Sequence, residues 1–584
     1  MLRKGLWPGL MGVSMNMTAP KRQLLRQGIY IFGLLFLSAI LGIIVSITTN
    51  YFVNTVKWFF GLRTQSIVFF QLNEFSFAPV LWLFLAAYLL HYIRKWCDIT
   101  RWHGPSDAVY ASHRTDNELD LKRGLGSTFA ALVSLCGGAP VGQYGPLVNF
   151  GASIASFFSQ VTRINLVTPE ILMSCGVAAA ISAGFHAPIA GIIFAHEAIL
   201  RHFSLRALLP IAVASTISAA FGSWAFGGTP LFSLKVGAPE LMPLLPALFI
   251  SGFVFGAIAL IYMRMIFWFS AIPAKNKLGY LPFALMAGVV TGVFGAFFPE
   301  ILGLGVDVIF SFITDDFSLT FILILLGLKI FLTSLCIGFG IFGGVFSPAL
   351  FIGAASGQFM SNLLGQISLF APSTVLAISG MAAVAACVVG APLAVIMIIL
   401  ELTMSYGYAI AALVSTMVAV MVTNNFYGHS FFDKQLEQRG IDLSQGRGNL
   451  ELMEKQISCI LTQEYLPVAP KETIGAIIRK MSKQDYSEAY CLDSNGRFLG
   501  KCKLSEIVNA KKSDFAKSHF EGDSKSIKLD ASIMQAIEVA SDFVGESIPV
   551  ISRSDGKLAG VVTEADIFQA YMSTQVRIND LERS

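Results

Sequence analysis

The apolar membrane-like part of this chain is interrupted by Cys136-Gly-Gly-Ala-Pro-Val-Gly-Gln-Tyr-Gly-Pro146. Glycine permits unusual backbone angles and leaves N–H groups uncovered, while proline fits the first turn of a helix. The pattern therefore predicts a helix that is broken at membrane depth, with free N–H groups and its positive dipole end facing a cavity. A helix end of this kind is suited to binding an anion.

The interruption occurs a second time, in Phe339-Gly-Ile-Phe-Gly-Gly-Val-Phe-Ser-Pro348, at a shift of 202 residues. A longer stretch, Gly176 to Glu197, matches Gly380 to Glu401 at a shift of 204 residues, with the Gly, Ala-Pro and Glu positions in register. Two matches in the same order and at nearly one shift indicate an internal repeat. Repeats that each hold an interrupted segment are typical of transporter folds with a binding site between the halves. We expect the repeats at about 27–225 and 240–433.

The composition is that of a membrane protein. Hydrophobic residues make up 54% of the 584 residues and charged residues only 13%, whereas soluble domains carry roughly a quarter charged residues. Stretches such as Gly28–Thr48 and Phe321–Ile337 are therefore predicted to be bilayer helices. The predicted fold is an all-α polytopic membrane domain over 27–433, a linker over 434–449, and an α/β domain over 450–584. We expect neither enzymatic activity nor a nucleic-acid partner.

Basic residues predict the orientation of the chain. Lys21, Arg22 and Arg26 precede the first apolar span, and more follow in the polar stretch 94–123, so both segments are predicted to be cytoplasmic. We expect a cytoplasmic segment at 1–26, both termini in the cytoplasm, and residence in a bacterial inner membrane. No small-residue cleavage site follows a short apolar run, so no cleavable signal peptide is expected. The eight cysteines form no CxxC pair, and neither disulfides nor a metal site are expected.

Three motifs resemble those of the CLC family of chloride channels and transporters. Gly343–Pro348 resembles the family's GGxFxP motif, Gly142–Pro146 its GREGP motif, and Phe185–Phe194 its FNAPLAGxLF stretch, while Lys329 and Thr333 also fit the family pattern. The resemblance implies an inverted-repeat helical domain, a homodimer with one pore per subunit, and chloride or a similar small anion as the ligand. Carried over by position, it implies that backbone amides bind the anion at Gln143, Tyr144, Gly145, Val345, Phe346 and Ser347.

The departures from the family pattern predict the mechanism. The gating glutamate of GREGP is Tyr144 here, and the arginine beside it is Gln143. A phenol ionises at a pKa of about 10, so Tyr144 stays neutral near pH 7. The inner proton glutamate of the exchangers is Ala198. The pore tyrosine is Phe432, which lacks the hydroxyl and which the resemblance implies is a further anion-binding position. These replacements predict an uncoupled channel or uniporter in which Tyr144 is the gate. A fixed packing aromatic against Phe346 is the alternative for Tyr144.

Other functions remain open at this stage. A proton-coupled transporter, or one for nitrate or bicarbonate, is the alternative to a chloride channel, with His196 as a substitute proton donor. Glu197 and Glu401 lie at matching repeat positions, which favours helix capping over proton transfer. Asn149 follows the helix break and is a candidate for orienting backbone or lining a vestibule. The family's GSGIP serine is missing from 101–106, where Ser106 is the one serine.

The tail resembles a pair of CBS modules, at about 450–511 and 520–580. A helical run followed by two strand-like runs occurs twice, from Ile474 and from Ile533. Gly560-Val-Val-Thr563-Glu-Ala-Asp566 matches the adenine-nucleotide signature of that family, and the resemblance implies that Thr563 and Asp566 meet the ribose. The same pair also forms a helix capping box. No cofactor is required for permeation, and an adenine nucleotide in the tail is the one candidate.

Overall fold

The computed structural model describes residues 19–69, 71–72, 75–114, 117–162, 169–227, 239–276, 279–315, 317–370, 372–442, 446–520, 525–543 and 545–583. The first 18 residues of the predicted N-terminal segment lie outside this part. The chain divides into two compact units, Met1–Gly440 and Ile441–Ser584. The division falls inside the predicted linker 434–449.

In the residues that the structure describes, the strands of the first unit are those of one short hairpin, β1 (Gln71–Leu72) and β2 (Phe75–Ser76), and the rest of its regular structure is helical. Within the described residues, five of its helices are long and apolar enough to cross a membrane. A π-helical segment, Ala195–Leu200, continues α7. The helices are α1 (Ala19–Phe69), α2 (Ala78–Trp96), α3 (Pro105–His113), α4 (Leu121–Cys136), α5 (Tyr144–Thr162), α6 (Pro169–Phe185), α7 (Pro188–Phe194), α8 (Leu205–Phe226), α9 (Leu241–Lys275), α10 (Leu281–Phe297), α11 (Val306–Thr314), α12 (Leu319–Phe339), α13 (Phe346–Gln366), α14 (Ser373–Val389), α15 (Pro392–Thr403), α16 (Tyr406–Tyr427) and α17 (Phe431–Glu437).

Glycine pairs lie at close helix crossings, and they occur at matching places in the two repeats. A Cβ on Gly151 of α5 would lie 2.2 Å from the carbonyl oxygen of Gly176 in α6. A Cβ on Gly353 of α13 would lie 2.2 Å from the carbonyl oxygen of Gly380 in α14. Small residues allow helix backbones to approach this closely in membrane proteins. The predicted internal repeat is therefore present in the packing as well as in the sequence.

The second unit holds two small sheets of the same design. After α18 (Gly446–Glu454), the first module contains β3 (Leu466–Val468), α19 (Ile474–Gln484), β4 (Glu488–Leu492), β5 (Phe498–Lys503) and α20 (Leu504–Ile507). The second contains β6 (Ile527–Lys528), α21 (Ile533–Ser541), β7 (Ser547–Ile551), β8 (Leu558–Thr563) and α22 (Glu564–Arg583). In each sheet the first strand pairs parallel with the second, and the second pairs antiparallel with the third. The predicted fold class, a helical membrane domain followed by an α/β tail, is confirmed.

A buried ion pair of the first module accepts hydrogen bonds from the second module of the tail. Lys501 Nζ lies 3.0 Å from Glu488 Oε1, and both side chains are 5% exposed. The backbone N–H groups of Glu546 and Ser547 in the second module donate to the same carboxylate, each at 3.1 Å. Tyr490 donates from its hydroxyl to the Ser547 carbonyl oxygen. A buried charge costs several kcal/mol unless it is paired and hydrogen-bonded, as Glu488 is here.

Candidate anion-binding site

The two interrupted segments meet at a reciprocal backbone contact. Gly142 N–H donates to the Gly344 carbonyl oxygen at 2.6 Å, and Gly344 N–H donates to the Gly142 carbonyl oxygen, also at 2.6 Å. Two segments that exchange identical contacts are related locally by a two-fold axis. A Cβ on either glycine would lie within 3.2 Å of the other segment. The repeats therefore meet at the residues where each helix is broken.

This contact brings the predicted anion-binding residues together. Tyr144 is the first residue of α5, with Gln143 before it and Gly145 after it. Val345 is the N-cap of α13, and Phe346 and Ser347 are its first two residues. A Cβ on Gly145 would lie 3.2 Å from Gly344 Cα. Two helix N-termini with uncovered N–H groups thus lie side by side, in the arrangement that suits an anion.

Three buried rings form an aromatic cluster, defined as Tyr144, Phe185 and Phe346. Tyr144 stacks on Phe185 with ring centroids 3.6 Å apart and contacts Phe346 edge-on at 5.9 Å. Phe185 contacts Phe346 at 5.4 Å. The Tyr144 hydroxyl donates to the Gly184 carbonyl oxygen at 3.4 Å. The expected contact of Tyr144 with Phe346 is confirmed, and the ring of Tyr144 lies beside the N-terminus of α13.

The position of Phe185 next to Tyr144 was not predicted from the sequence. The two residues lie 41 positions apart on different helices, so no local periodicity relates them. Glycine at 184 permits the stack, because a Cβ there would lie 2.9 Å from Tyr144 Cε1. The sequence feature that could have indicated a role for Phe185 at the site is the FNAP-like stretch, which begins at this residue.

A cavity of about 630 Å³ lies on one side of the cluster. We call it the Tyr144 cavity; Gln143 and Tyr144 line it, together with Lys57, Arg63 and His186. Arg63 belongs to α1 and is 3% exposed. It was not among the predicted site residues, although a charged residue inside an apolar span is a recognised sign of function.

A second cavity of about 270 Å³ is lined by Ala198 and Phe432, together with Glu197, Arg201 and Asp433. We call it the Phe432 cavity, and it shares no lining residue with the Tyr144 cavity. Arg201 and Asp433 form an ion pair across it. At the two positions where the family carries an acid and a phenol, this cavity has a methyl group and a phenyl ring. Neither side chain can exchange a proton or donate a hydrogen bond.

Glu197 and Glu401 are reciprocal helix caps. The Glu197 carboxylate accepts backbone hydrogen bonds from Leu393 and Ala394 at 3.0 and 2.7 Å, at the start of α15. The Glu401 carboxylate accepts from Ile189 and Ala190 at 3.0 and 2.8 Å, at the start of α7. Carboxylates stabilise helix N-termini by satisfying orphan N–H groups and by complementing the dipole. The structural interpretation of both residues is confirmed, with each cap reaching into the other repeat.

The remaining polar candidates lie away from the two cavities. His196 is buried, stacks on Phe203, and places its ring nitrogens 2.9 Å from the Ile192 oxygen and 3.4 Å from the Ser204 oxygen. Ser106 accepts a hydrogen bond from Arg439 in the first turn of α3. Asn149 is fully buried, and its amide has no partner among the described residues. None of the three lines either cavity.

In the tail, Thr563 and Asp566 bond to each other. Thr563 Oγ1 donates to Asp566 Oδ2 at 2.7 Å, and Asp566 N–H donates to Thr563 Oγ1 at 3.1 Å. Thr563 N–H also donates to Asp566 Oδ2. This is the expected capping box, formed at the start of α22.

Comparison with known proteins agrees with the motifs of the membrane domain and with the α/β tail. A family model described as "Voltage gated chloride channel" matches residues 82–424, and one described as "CBS domain" matches residues 522–573. The H(+)/Cl(−) exchange transporter ClcA of Vibrio cholerae is 27% identical over 432 residues, which cover 70% of this chain and 90% of that protein. A putative chloride channel protein, ClcB-like, of Ralstonia nicotianae is 29% identical over 333 residues, covering 55% and 76%. The crystal structure of a eukaryotic CLC transporter matches with a TM-score of 0.60 at 19% identity and covers 92% of this chain and 98% of that one.

Proposed function

Since the chain belongs to the voltage-gated chloride channel family, whose members are channels and transporters rather than enzymes, we propose that it is an uncoupled pathway for chloride or a similar small anion. The anion enters through the Tyr144 cavity, crosses between the N-termini of α5 and α13, and leaves through the Phe432 cavity. Backbone amides next to the Gly142–Gly344 contact bind the anion transiently. They belong to Gln143, Tyr144, Gly145, Val345, Phe346 and Ser347. Neutral amides hold an anion weakly enough for it to leave again.

One observation supports the proposal. Neither of the two positions at which exchangers of this family transfer a proton carries a carboxylate in this chain. Tyr144 lies at the first place and Ala198 at the second. Coupled exchange needs groups that alternate between charged and neutral forms near neutral pH, and neither a phenol nor a methyl group does so.

Coupled exchange is the competing function, because the Vibrio cholerae relative is named as an exchanger. Glu197 and Asp433 are the acids that line the Phe432 cavity, and Asp433 is paired with Arg201. The two carboxylate oxygens of Glu197 each accept a backbone N–H from α15, so a proton taken up by this carboxylate would weaken the cap of that helix. A residue held in this way serves the helix and is a poor proton carrier.

Tyr144 is proposed as the gate of this pathway. Its ring lies between the Tyr144 cavity and the edge of Phe346, so an anion that enters α13's N-terminal region has to displace it. Nitrate or bicarbonate are the alternative anions, because an amide cage discriminates little between small monovalent anions.

We also propose an oligomeric state and a cellular location, both based on the family. The protein is a homodimer with one pore per subunit, inserted among the lipids of a bacterial inner membrane with both termini in the cytoplasm. In that orientation the Phe432 cavity opens to the cytoplasm, since its residue Asp433 belongs to α17, the last helix before the tail.

The tail is proposed to bind an adenine nucleotide at one place, through Thr563 and Asp566. The matching positions of the first module are Lys503 and Glu506, which form an ion pair at 4.0 Å instead. Calorimetric titration of the full-length protein with ATP, ADP and AMP tests this, and no heat at millimolar ligand rejects it.

The main proposal is tested with purified protein in liposomes, using a chloride electrode and a pH electrode together. Chloride efflux should proceed with no stoichiometric proton movement, and a proton gradient should drive no chloride uptake. Proton counter-movement at a fixed ratio would establish an exchanger, and absence of any anion flux would reject permeation altogether.

A further inference from the structure

The side chain of Ser347 carries a buried hydroxyl with no hydrogen-bond partner in the described part of the chain. The residue is 5% exposed. A buried polar group that makes no hydrogen bond destabilises the folded protein, so such groups are rare unless a ligand or water completes them. Nothing in the capping of α13 uses this hydroxyl, because Val345 is the N-cap.

The hydroxyl lies where the two repeats meet. Side chains in a helix lean toward its N-terminus, and Ser347 is the second residue of α13. Its Oγ lies 3.0 Å from the place that a Cβ on Gly142 would take. Glycine at 142 therefore leaves the hydroxyl uncovered, beside the backbone contact that brings the starts of α5 and α13 together.

Gln143 follows Gly142 in the chain and supplies a second unpaired polar atom near this junction. Its Oε1 is buried without a partner among the described residues, and its side chain lines the Tyr144 cavity. A flip of the amide exchanges oxygen and NH₂, which turns the unpaired acceptor into a donor at that point. The Phe432 cavity has no comparable hydroxyl donor, because its only serine, Ser430, donates to Asp433 at 2.7 Å.

We propose that the Ser347 hydroxyl donates a hydrogen bond to the permeating anion at the junction where the starts of α5 and α13 meet. The proposal deepens the proposed function and rests on it. Ser347 would give the anion two donors from one residue, its backbone N–H and its hydroxyl. The amide of Gln143 would complete the site from the other repeat.

The effect of removing the hydroxyl should be large enough to measure. A hydrogen bond to a charged group contributes more than one between neutral groups, and its loss is expected to weaken anion binding on the order of tenfold. Ser347→Ala should therefore raise the chloride dissociation constant about tenfold, and with it the chloride concentration at half-maximal flux. Ser347→Thr keeps the hydroxyl and should stay within about threefold of the parent protein.

The matched control is Ser251→Ala. Ser251 is also fully buried and its hydroxyl also has no partner in the described residues, but it lies in α9, which contains neither of the two interrupted segments. It should leave chloride affinity unchanged. Full-length proteins would be compared by calorimetric chloride titration and by flux from liposomes.

The outcomes separate the two proposals. If the parent protein conducts chloride and Ser347→Ala binds it equally well, the role of the hydroxyl is rejected while permeation stands. If Ser251→Ala weakens binding as much as Ser347→Ala, the effect is general destabilisation and the role is likewise rejected. If the parent protein neither binds nor conducts any small anion, both proposals fail together.

Discussion

Replacing Tyr144 tests whether the aromatic cluster is the barrier to anion flow. Tyr144→Ala removes one stacked contact, to Phe185 at 3.6 Å, and one edge-on contact, to Phe346 at 5.9 Å. Tyr144→Phe keeps both rings in contact and removes only the hydroxyl, which donates to Gly184 at 3.4 Å. Comparing the two variants thus distinguishes the contribution of the Tyr144 ring from that of its hydroxyl.

The magnitude follows from the contacts that hold the ring in place. Each aromatic pair contributes about 0.5–1.5 kcal/mol beyond area burial, so two pairs favour the closed position by about 1–3 kcal/mol. Since each 1.4 kcal/mol corresponds to a factor of ten, Tyr144→Ala should raise anion flux on the order of tenfold to a hundredfold. Tyr144→Phe loses one long neutral hydrogen bond and should change flux by no more than about threefold.

The assay is chloride efflux from liposomes at equal amounts of reconstituted protein, with size-exclusion profiles to show that each variant is folded. Proton movement should stay absent in both variants. The reasoning would be refuted by a Tyr144→Ala flux equal to that of the parent protein. It would also be refuted if Tyr144→Phe matched Tyr144→Ala, because the hydroxyl and not the ring would then set the barrier.

Three further predictions concern the framework. Glu197→Ala and Glu401→Ala each remove two charge-assisted hydrogen bonds from the start of a helix. Each should lower the free energy of unfolding by about 2 kcal/mol or more, measured by thermal unfolding. A proton-to-anion ratio that changes in Glu197→Ala alone would contradict the capping role. Gly353→Val should prevent recovery of folded protein, because its Cβ would lie 2.2 Å from a carbonyl oxygen of α14, whereas Gly365→Val, in the same helix with nothing within 4 Å, should be recovered normally. Burial alone raises the pKa of the Glu488 carboxyl, but Lys501 and two backbone N–H groups bring that pKa below its ordinary value. The stabilisation from Glu488 is thus complete above the unfolded pKa of about 4.3 and is lost as the pH falls through the lower folded pKa. Limited proteolysis of the tail in the full chain should accelerate only at such acid pH, and acceleration confined to the neutral range would show that the pair has no such role.

Much of the membrane domain could be predicted because its signals are local. The Gly and Pro residues around Tyr144 and Phe346 fix where helices break, and the shift between the repeats aligns Glu197 with Glu401. Local signals also placed the capping box of Thr563 in the tail. These are properties of a few neighbouring residues, and backbone conformation responds to them directly.

The sequence could not show which segments approach one another. Glu197 was expected to cap or bond a helix, but its partner α15 begins almost 200 positions later in the other repeat. The stack of Tyr144 on Phe185 depends on Gly184 leaving space for a ring from another helix. Such contacts follow from tertiary packing, which periodicity and spacing do not encode.

The residues that hold the two repeats together in a symmetric way differ from the residues on which permeation is proposed to depend. Backbone contacts of Gly142 with Gly344, and the two carboxylate caps, are the same in both directions. At the proposed anion site the repeats differ, since Tyr144 matches Phe346, and Gly145 matches Ser347. Both halves carry a hydroxyl there, but that of Tyr144 donates to Gly184, whereas that of Ser347 has no partner among the described residues. The residues proposed to decide binding and gating can therefore change without disturbing the contacts that hold the two halves together.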